Sequence, residues 1–484
     1  MKLKDILQGI EVLSASADME REIADLTNDS RGVGPDCLFV AVKGFTVDGH
    51  KYIPQAVEKG AAAVICQDIP EGDVPYVQVA DSRKALAFGA RNFFGDPSSK
   101  MKVIGITGTN GKTTTTSLVK HLLEQTVGAK VGMVGTNGNW IGDVMLPSSH
   151  TTPESRDLQA LFAKMADAGC THAVMEVSSH ALHQGRVDGT DFDVGIFTNL
   201  TQDHLDYHVT MEAYAEAKAG LFSRCKKGSV NLDDPWAQTM LAGATCPVLT
   251  YGVNTEAALK AENLVFRADG ITFDAVYEGK RVPTKLGIPG TFSVYNALTV
   301  LVAALQLGVD LETACAALST AKGVKGRVEV VPTDGDYTIL IDYAHTPDAL
   351  DNVLDSMRKV TQGRLVVLFG CGGDRDRTKR PIMGRIAQAK ADVVIVTSDN
   401  PRTEEPRAII DEILTGMQEA TGAVQVIESR PEAIEWAIEH HEPGDVIILA
   451  GKGHEDYQII GTTKYHMDER EIVAEILNRR RERK

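Results

Sequence analysis

Residues 102–125 read KVIGITGTNGKTTTTSLVKHLLEQ. The first six, KVIGIT, are an apolar run of strand length, and the last eight, LVKHLLEQ, read as a helix. Between them stand Gly108, Thr109, Asn110, Gly111, Lys112, Thr113 and Thr114. Glycines there let backbone N–H groups close around phosphate oxygens, and the helix N-terminus adds partial positive charge. Lys112 supplies a full charge, and the Thr113 hydroxyl is a ligand suited to Mg²⁺. The common phosphate-loop consensus would need glycine at 106, where Ile106 stands, so this is a shorter G-x-x-G-K-T form. Strand before and helix after make it a nucleotide-binding loop.

Outward from the loop the same rhythm continues. KVGMVG (130–135), HAVMEV (172–177) and DVGIFT (193–198) are buried strands separated by helical stretches. That alternation predicts parallel strands with crossover helices. Residues 247–290 read as β-hairpins forming a small antiparallel flank, and YNALTVLVAALQLG (295–308) as a helix stopped by Gly308. Upstream, DCLFVAV (36–42) and AAAVIC (61–66) are strands around a helix at 52–60, and Gly95-Asp96-Pro97-Ser98-Ser99 is a turn-rich linker. Downstream, YTILID (337–342), RLVVLF (364–369), DVVIVT (392–397) and DVIILA (445–450) restart the α/β pattern. The expected domains are 1–98, 99–329 and 330–484: an α/β chain with a central P-loop parallel sheet and a C-terminal Rossmann-like domain.

Composition narrows the function. The 484 residues hold 50 Lys+Arg against 66 Asp+Glu, a net charge of −16, which argues against a nucleic-acid binder. The basic end Arg479, Arg480, Arg481, Arg483, Lys484 reads as a solvated helix terminus. No apolar run reaches membrane-span length, and Asp5 and Glu11 speak against a signal peptide. The 7 cysteines (37, 66, 170, 225, 246, 315, 371) form no C-x-x-C pair and fit reduced thiols in a cytoplasmic protein.

Glu176 ends the strand HAVMEV, and ligands of open parallel sheets sit beyond the strands' carboxyl ends. It is therefore expected near the phosphate loop, holding Mg²⁺ with Thr113. His204 and His208 have the spacing of a zinc helix, but Leu205 stands where a metalloprotease needs glutamate. His204, beside Glu176 and the phosphate loop, is read instead as having a metal-site role.

The motifs TGTNGKTTT (107–115), MEVSSHALHQGRV (175–187), NLTQDHLDYH (199–208), YNALTV (295–300), DYAHTPDAL (342–350), GGDRDRTKRP (372–381), SDNPR (398–402) and GKGHE (451–455) follow in order. Together they resemble the Mur ligases of peptidoglycan synthesis, from about Asn28 to Glu455. The resemblance implies a UDP-binding N-terminal domain, a central ATP-binding domain and a C-terminal amino-acid domain. It implies that ATP activates a carboxylate as an acyl phosphate, which an amine then attacks. It implies a monomer that uses ATP and Mg²⁺. Lys112, Lys218, His204 and Glu176 would be catalytic, with Thr113 and Glu176 at one Mg²⁺ and His204 at a second. Asn296 and Asp342 would touch adenosine, and Arg327 a phosphate. Read locally, Lys218 is a surface lysine on a helix; the resemblance makes it a carbamylated metal ligand.

For the acceptor, the resemblance assigns Ser30 to uridine and Thr151, Thr152, Ser178, Gln184 and Arg186 to the muramoyl peptide of UDP-N-acetylmuramoyl-L-alanyl-D-glutamate. Read without it, Ser30 is an ordinary turn residue, whereas Arg186 is a carboxylate clamp on chemical grounds. Asp399, Asn400, Pro401 and Arg402 resemble the motif of members that add meso-diaminopimelate. Arg402 and Arg375 would pair with its distal carboxylate, and Glu455 with the Gly451 carbonyl would receive its ammonium. Read locally, Arg402 caps a turn. Ligation of L-lysine, a folylpolyglutamate synthase-like reaction, and a non-catalytic nucleotide-binding scaffold are the competing readings.

Overall fold

The computed structural model describes every residue except 45, 46, 149, 322, 418–422 and 484, and the side chains of Asp206 and Arg483. Part of the basic terminus therefore lies outside the described residues. The chain divides into two compact units, 1–260 with 298–317, and 261–297 with 318–484.

The first unit holds two sheets. The N-terminal one runs Val12–Ala15, Tyr76–Val79, Ala61–Cys66, Cys37–Val40, Asp25–Thr27, and only its first strand is antiparallel to its neighbour. Successive residues of Cys37–Val40 alternate between two apolar layers, Leu38 and Val40 in one, Cys37 and Phe39 in the other. A strand buried on both faces carries such an uninterrupted apolar run.

The second sheet is centred on the phosphate-loop strand, Lys102–Thr107. It lies between His172–Glu176 and Phe192–Phe197, parallel to both. Val131–Gly135 extends the sheet on the Glu176 side; Cys225–Asn231 and Val248–Gly252 extend it on the other, all parallel. The strand ends at Thr107, Gly135, Glu176 and Phe197 therefore point the same way. Antiparallel strands Gly138–Ile141 and Val144–Leu146 close one edge. The 247–290 stretch meets expectation in part: in the second unit Gly270–Tyr277 and Lys280–Leu286 form an antiparallel hairpin, whereas in the first Val248–Gly252 joins the parallel set. Val248–Gly252 is half-buried against a parallel neighbour, and pairing partners are not visible in a short apolar run.

Two arginines tie the sheets of this unit together. Arg156 donates to Asp25 (2.9 and 3.1 Å) and to the Leu26 carbonyl (3.1 Å), and Arg91 pairs with Asp96 and Asp191.

In the second unit the order is Glu329–Val331, Tyr337–Asp342, Asp445–Ala450, Leu365–Phe369, Val393–Val396, Ala423–Val426, parallel apart from the first pair. The four strands expected from sequence are present, flanked by helices such as Pro347–Arg358 and Lys379–Lys390. The helix Glu469–Arg483 carries the basic terminus, where Arg479 pairs with Glu435 and Arg480 donates to the Ile438 carbonyl.

Candidate active site

The phosphate loop is held by the segment after the neighbouring strand. Thr109 N–H donates to the Asn199 carbonyl (2.8 Å), Asn110 N–H to Asn199 Oδ1 (2.9 Å), and Thr198 Oγ1 to the Asn110 carbonyl (2.9 Å). Gly108 sits at φ +152°, and a Cβ there would lie 1.9 Å from Thr198 Oγ1 and 3.0 Å from the Asn199 carbonyl oxygen. Glycine is thus demanded by backbone angle and by close approach together. Lys112 Nζ donates to the carbonyls of Gly108 (2.9 Å) and Thr109 (2.8 Å).

Lys218 corrects the local reading. It is 1% exposed, and its Nζ donates to the Gly108 carbonyl at 2.8 Å, so it shares that acceptor with Lys112. Burial pushes its pKa well below the usual lysine value, and Lys112 adds to the shift. The helix Met211–Ala219 buries Tyr214, Ala215, Lys218 and Ala219 on one face, so Lys218 points inward. Its ammonium lies 4.6 Å from the centre of the Tyr214 ring.

Glu176 meets its expected partner: Thr113 Oγ1 donates to Glu176 Oε2 at 3.1 Å. The carboxylate also accepts from Thr136 N–H (3.0 Å), and Thr136 Oγ1 lies 3.0 Å from Thr151 Oγ1. Thr136 follows the strand Val131–Gly135, so the strand-end rule that found Glu176 would have found it too. The hydroxyls of Thr113 and Thr136 around one carboxylate are hard oxygen donors of the kind Mg²⁺ takes.

His204 starts a short helix, Leu205–His208, at φ +53°. Its ring is edge-on to His180 (4.8 Å) and to Tyr214 (6.1 Å), so His204 and Lys218 both neighbour the Tyr214 ring. His208 is not presented alongside His204. It is buried, hydrogen-bonded to Ser179 Oγ (2.9 Å) and stacked on Tyr214, and burial with neighbouring His180 lowers its pKa to about 4.

A further group surrounds Arg186. Its guanidinium bonds Gln184 Oε1 (3.0 and 2.7 Å), the Thr152 carbonyl (3.1 Å) and Glu154 (2.9 Å). Thr152 Oγ1 bonds the Glu176 carbonyl (2.9 Å) and lies 3.3 Å from Ser178 Oγ. Thr151, Thr152, Ser178, Gln184 and Arg186 therefore form one network attached to Glu176. Ser30 stands apart in the N-terminal sheet region, with its carbonyl held by Lys59 (2.9 Å).

In the second unit, Asp342 ends the strand Tyr337–Asp342 and accepts from Val328 N–H (2.8 Å). Burial raises its pKa, with Arg327 acting against the shift. Arg327 lies over the Tyr343 ring (5.3 Å), and Asn296 is buried on the helix Phe292–Gln306. The other predicted residues of this unit come together. Asn400 Nδ2 donates to Glu455 Oε2 (2.9 Å), Arg402 Nη1 to the Gly373 carbonyl (2.8 Å), and Arg375 Nη1 to the Asp374 carbonyl (3.1 Å). A Cβ at Gly372 would touch both Arg402 Nη1 (2.9 Å) and Arg375 Cγ (3.7 Å), so the two guanidinium-bearing chains flank one glycine. At Gly451 a Cβ would meet Asp399 Oδ2 at 2.8 Å. The backbone of Arg402, at φ +52°, accepts from Gly461 N–H (2.7 Å) and donates to Ile459 (3.1 Å).

Known family models match three stretches of the chain that include most of these residues. The Mur ligase middle domain matches 106–304, the glutamate ligase domain of Mur ligases 326–453, and the Mur ligase family catalytic domain 22–94. The chain belongs to the Mur ligase family. Among its relatives, UDP-N-acetylmuramoyl-L-alanyl-D-glutamate–2,6-diaminopimelate ligase 1 of Clostridium acetobutylicum is 47% identical over 481 residues, 99% of each chain. The corresponding ligase of Caldanaerobacter subterraneus subsp. tengcongensis is 47% identical over 480 residues, again 99% of each. A solved diaminopimelate ligase structure superposes with a TM-score of 0.77 at 34% identity, covering 99% of both chains. In this Mur ligase, sequence reasoning missed Thr136, Asn199, Glu154 and Lys452, all of which bond predicted site residues.

Proposed function

We propose that this Mur ligase forms the amide between the D-glutamate γ-carboxylate of UDP-N-acetylmuramoyl-L-alanyl-D-glutamate and an amine of meso-diaminopimelate, with ATP split to ADP and phosphate. Its relatives carry the name of that reaction over their full length. The observation that carries the acceptor assignment is the state of two arginines. Arg375 and Arg402 bond only backbone carbonyls among the described residues, and Glu455 keeps one carboxylate oxygen, Oε1, that accepts no hydrogen bond among them. Cations without a carboxylate partner suit the distal carboxylate of diaminopimelate. L-Lysine lacks it and leaves them unpaired.

A carboxylate is a poor electrophile at neutral pH, so phosphoryl transfer from ATP supplies a leaving group, and amine attack on the acyl phosphate releases phosphate. The loop N–H groups and Lys112 hold the transferring phosphoryl and offset its charge. Thr113 and Glu176 would hold one Mg²⁺ and His204 a second, with Lys218 a further ligand, and the metal would supply Lewis acidity toward the phosphates. Lys218 acts as a carbamate: its amine attacks CO₂ and loses a proton, converting a cation to an oxygen ligand. Its buried position and lowered pKa favour the neutral amine this needs. Arg186, Gln184, Thr151, Thr152 and Ser178 orient the peptide carboxylate, and Ser30 takes uridine. Asn296 and Asp342 take adenosine, and Arg327 a phosphate.

Division into 1–98, 99–329 and 330–484 is part of this reading; three matched family segments, 22–94, 106–304 and 326–453, support three parts, the last starting four residues before the third division. No helix among the described residues is long and apolar enough to cross a membrane. Use of ATP and a UDP-linked substrate supports a cytoplasmic reaction. The test is phosphate release from Mg-ATP with the UDP-dipeptide, comparing meso-diaminopimelate with L-lysine. Release with diaminopimelate alone is expected; equal release with lysine would overturn the acceptor assignment.

A further inference from the structure

Lys452 belongs to the GKGHE stretch but has no part in the reading above. It is 0% exposed, and a buried ammonium requires partners. It donates to Asn400 Oδ1 (2.9 Å) and Glu455 Oε2 (2.8 Å), and lies 5.4 Å from the centre of the Tyr457 ring.

These contacts decide what Glu455 offers. Asn400 Oδ1 receives Lys452 and the Ile459 N–H (2.9 Å), which turns Asn400 Nδ2 toward Glu455 Oε2 (2.9 Å). Glu455 Oε2 is thus bound twice, while Oε1 accepts no hydrogen bond among the described residues. Glu455 keeps a single oxygen for an incoming ammonium, and its charge is already countered at 2.8 Å.

We infer that Lys452 is a specificity-determining residue: by pairing with Glu455 it makes the site demand a side chain carrying a carboxylate as well as an ammonium. The inference rests on the diaminopimelate reading. An unpaired Glu455 would attract any ammonium, including that of L-lysine. With Lys452 paired to it at 2.8 Å, Glu455 has its charge already matched, so an ammonium alone gains little there and the carboxylate end must supply binding through Arg375 and Arg402. Discrimination of this sort combines an attractive feature for one ligand with a repulsive one for its competitor.

The experiment is steady-state kinetics of the full-length enzyme with both amino acids, for Lys452→Met and Lys452→Gln. Both variants are expected to raise KM for diaminopimelate while kcat at saturation stays within about threefold. Lysine's kcat/KM is expected to hold or rise, so the diaminopimelate-to-lysine ratio falls by roughly tenfold or more. KM for ATP and for the UDP-dipeptide stays at the native value. An unchanged ratio, or equal loss for both amino acids, overturns the inference, since a merely structural lysine affects both alike. Should the methionine variant fail to fold, the glutamine variant, which keeps a donor toward Asn400, carries the test. A native enzyme that turns over neither amino acid, or both equally, refutes the diaminopimelate reading instead, with no appeal to Lys452.

Discussion

Replacing Gly108 with alanine should disable nucleotide use without unfolding the protein. The new methyl would stand 1.9 Å from Thr198 Oγ1, 3.0 Å from the Asn199 carbonyl oxygen and 3.1 Å from the Asn199 nitrogen. The hydroxyl can rotate away, but it then gives up its bond to the Asn110 carbonyl (2.9 Å) and its weaker one to Thr107 (3.3 Å). Each is worth about 1 kcal/mol. The backbone atoms cannot rotate away, and a non-glycine residue at such a φ carries a further ~1–3 kcal/mol. The total, about 3–5 kcal/mol, is concentrated on the loop that also positions Lys112 and accepts Lys218. Expressed in transition-state binding, that is a loss of about 10²–10⁴ in kcat/KM for ATP. The assay is phosphate release over a range of Mg-ATP, with thermal melting as a check on folding. Thr198→Ala in the same chain should recover only part, because the Asn199 contacts and the backbone angle remain. A Gly108→Ala enzyme with native kcat/KM would refute the reasoning.

Lys218→Met should split stability from activity: replacing a buried ammonium by an apolar chain of similar length leaves the melting temperature level or higher, while turnover falls about a hundredfold or more. Arg402→Gly, chosen because glycine adopts the +52° φ freely, should raise KM for diaminopimelate by about 10²-fold and narrow the preference over L-lysine, read from paired kinetics. Chelation with EDTA should abolish phosphate release, and added Mg²⁺ should restore it; full activity in EDTA would remove the metal from Thr113 and Glu176. Glu404, bonded to the fully buried Arg380, has its pKa lowered from 4.5 to about 2. A lowered carboxylate pKa stabilises the fold above the unfolded value and loses that contribution as pH falls toward the folded one. The stability gap between the native protein and Glu404→Gln, measured by urea midpoints, should therefore be constant above pH 4.5 and close between 4.5 and 2; a gap that widens on acidification would contradict the pairing.

The phosphate loop was legible because everything that defines it is local: a strand, a glycine turn and a helix within one stretch. Glu176 was legible one step further out, since a parallel sheet aligns the carboxyl ends of its strands and so brings Glu176 to Thr113. Applied evenly, that rule would also have picked out Thr136. Lys218 defeated the local reading because nothing in a lysine's neighbours states what its helix packs against. The helix is short, and its inward face is defined by the phosphate loop, more than a hundred residues earlier in the chain.

The proposed amino-acid site shows a different limit. Its members Arg375, Arg402 and Glu455 are spread across three loops that follow separate strands, so a motif can name them but cannot say which are already satisfied. That distinction decides the chemistry. Arg380 is as cationic as Arg402, yet it is buried and paired with both Glu404 and Glu412, and so it braces the loop rather than recognising a ligand. Arg402 and Arg375 are held by backbone carbonyls, which position a guanidinium without neutralising it. Lys452 does the reverse to Glu455, neutralising it while leaving one oxygen open. Recognition in this site thus depends less on which charged residues are present than on which of them the fold has already paired.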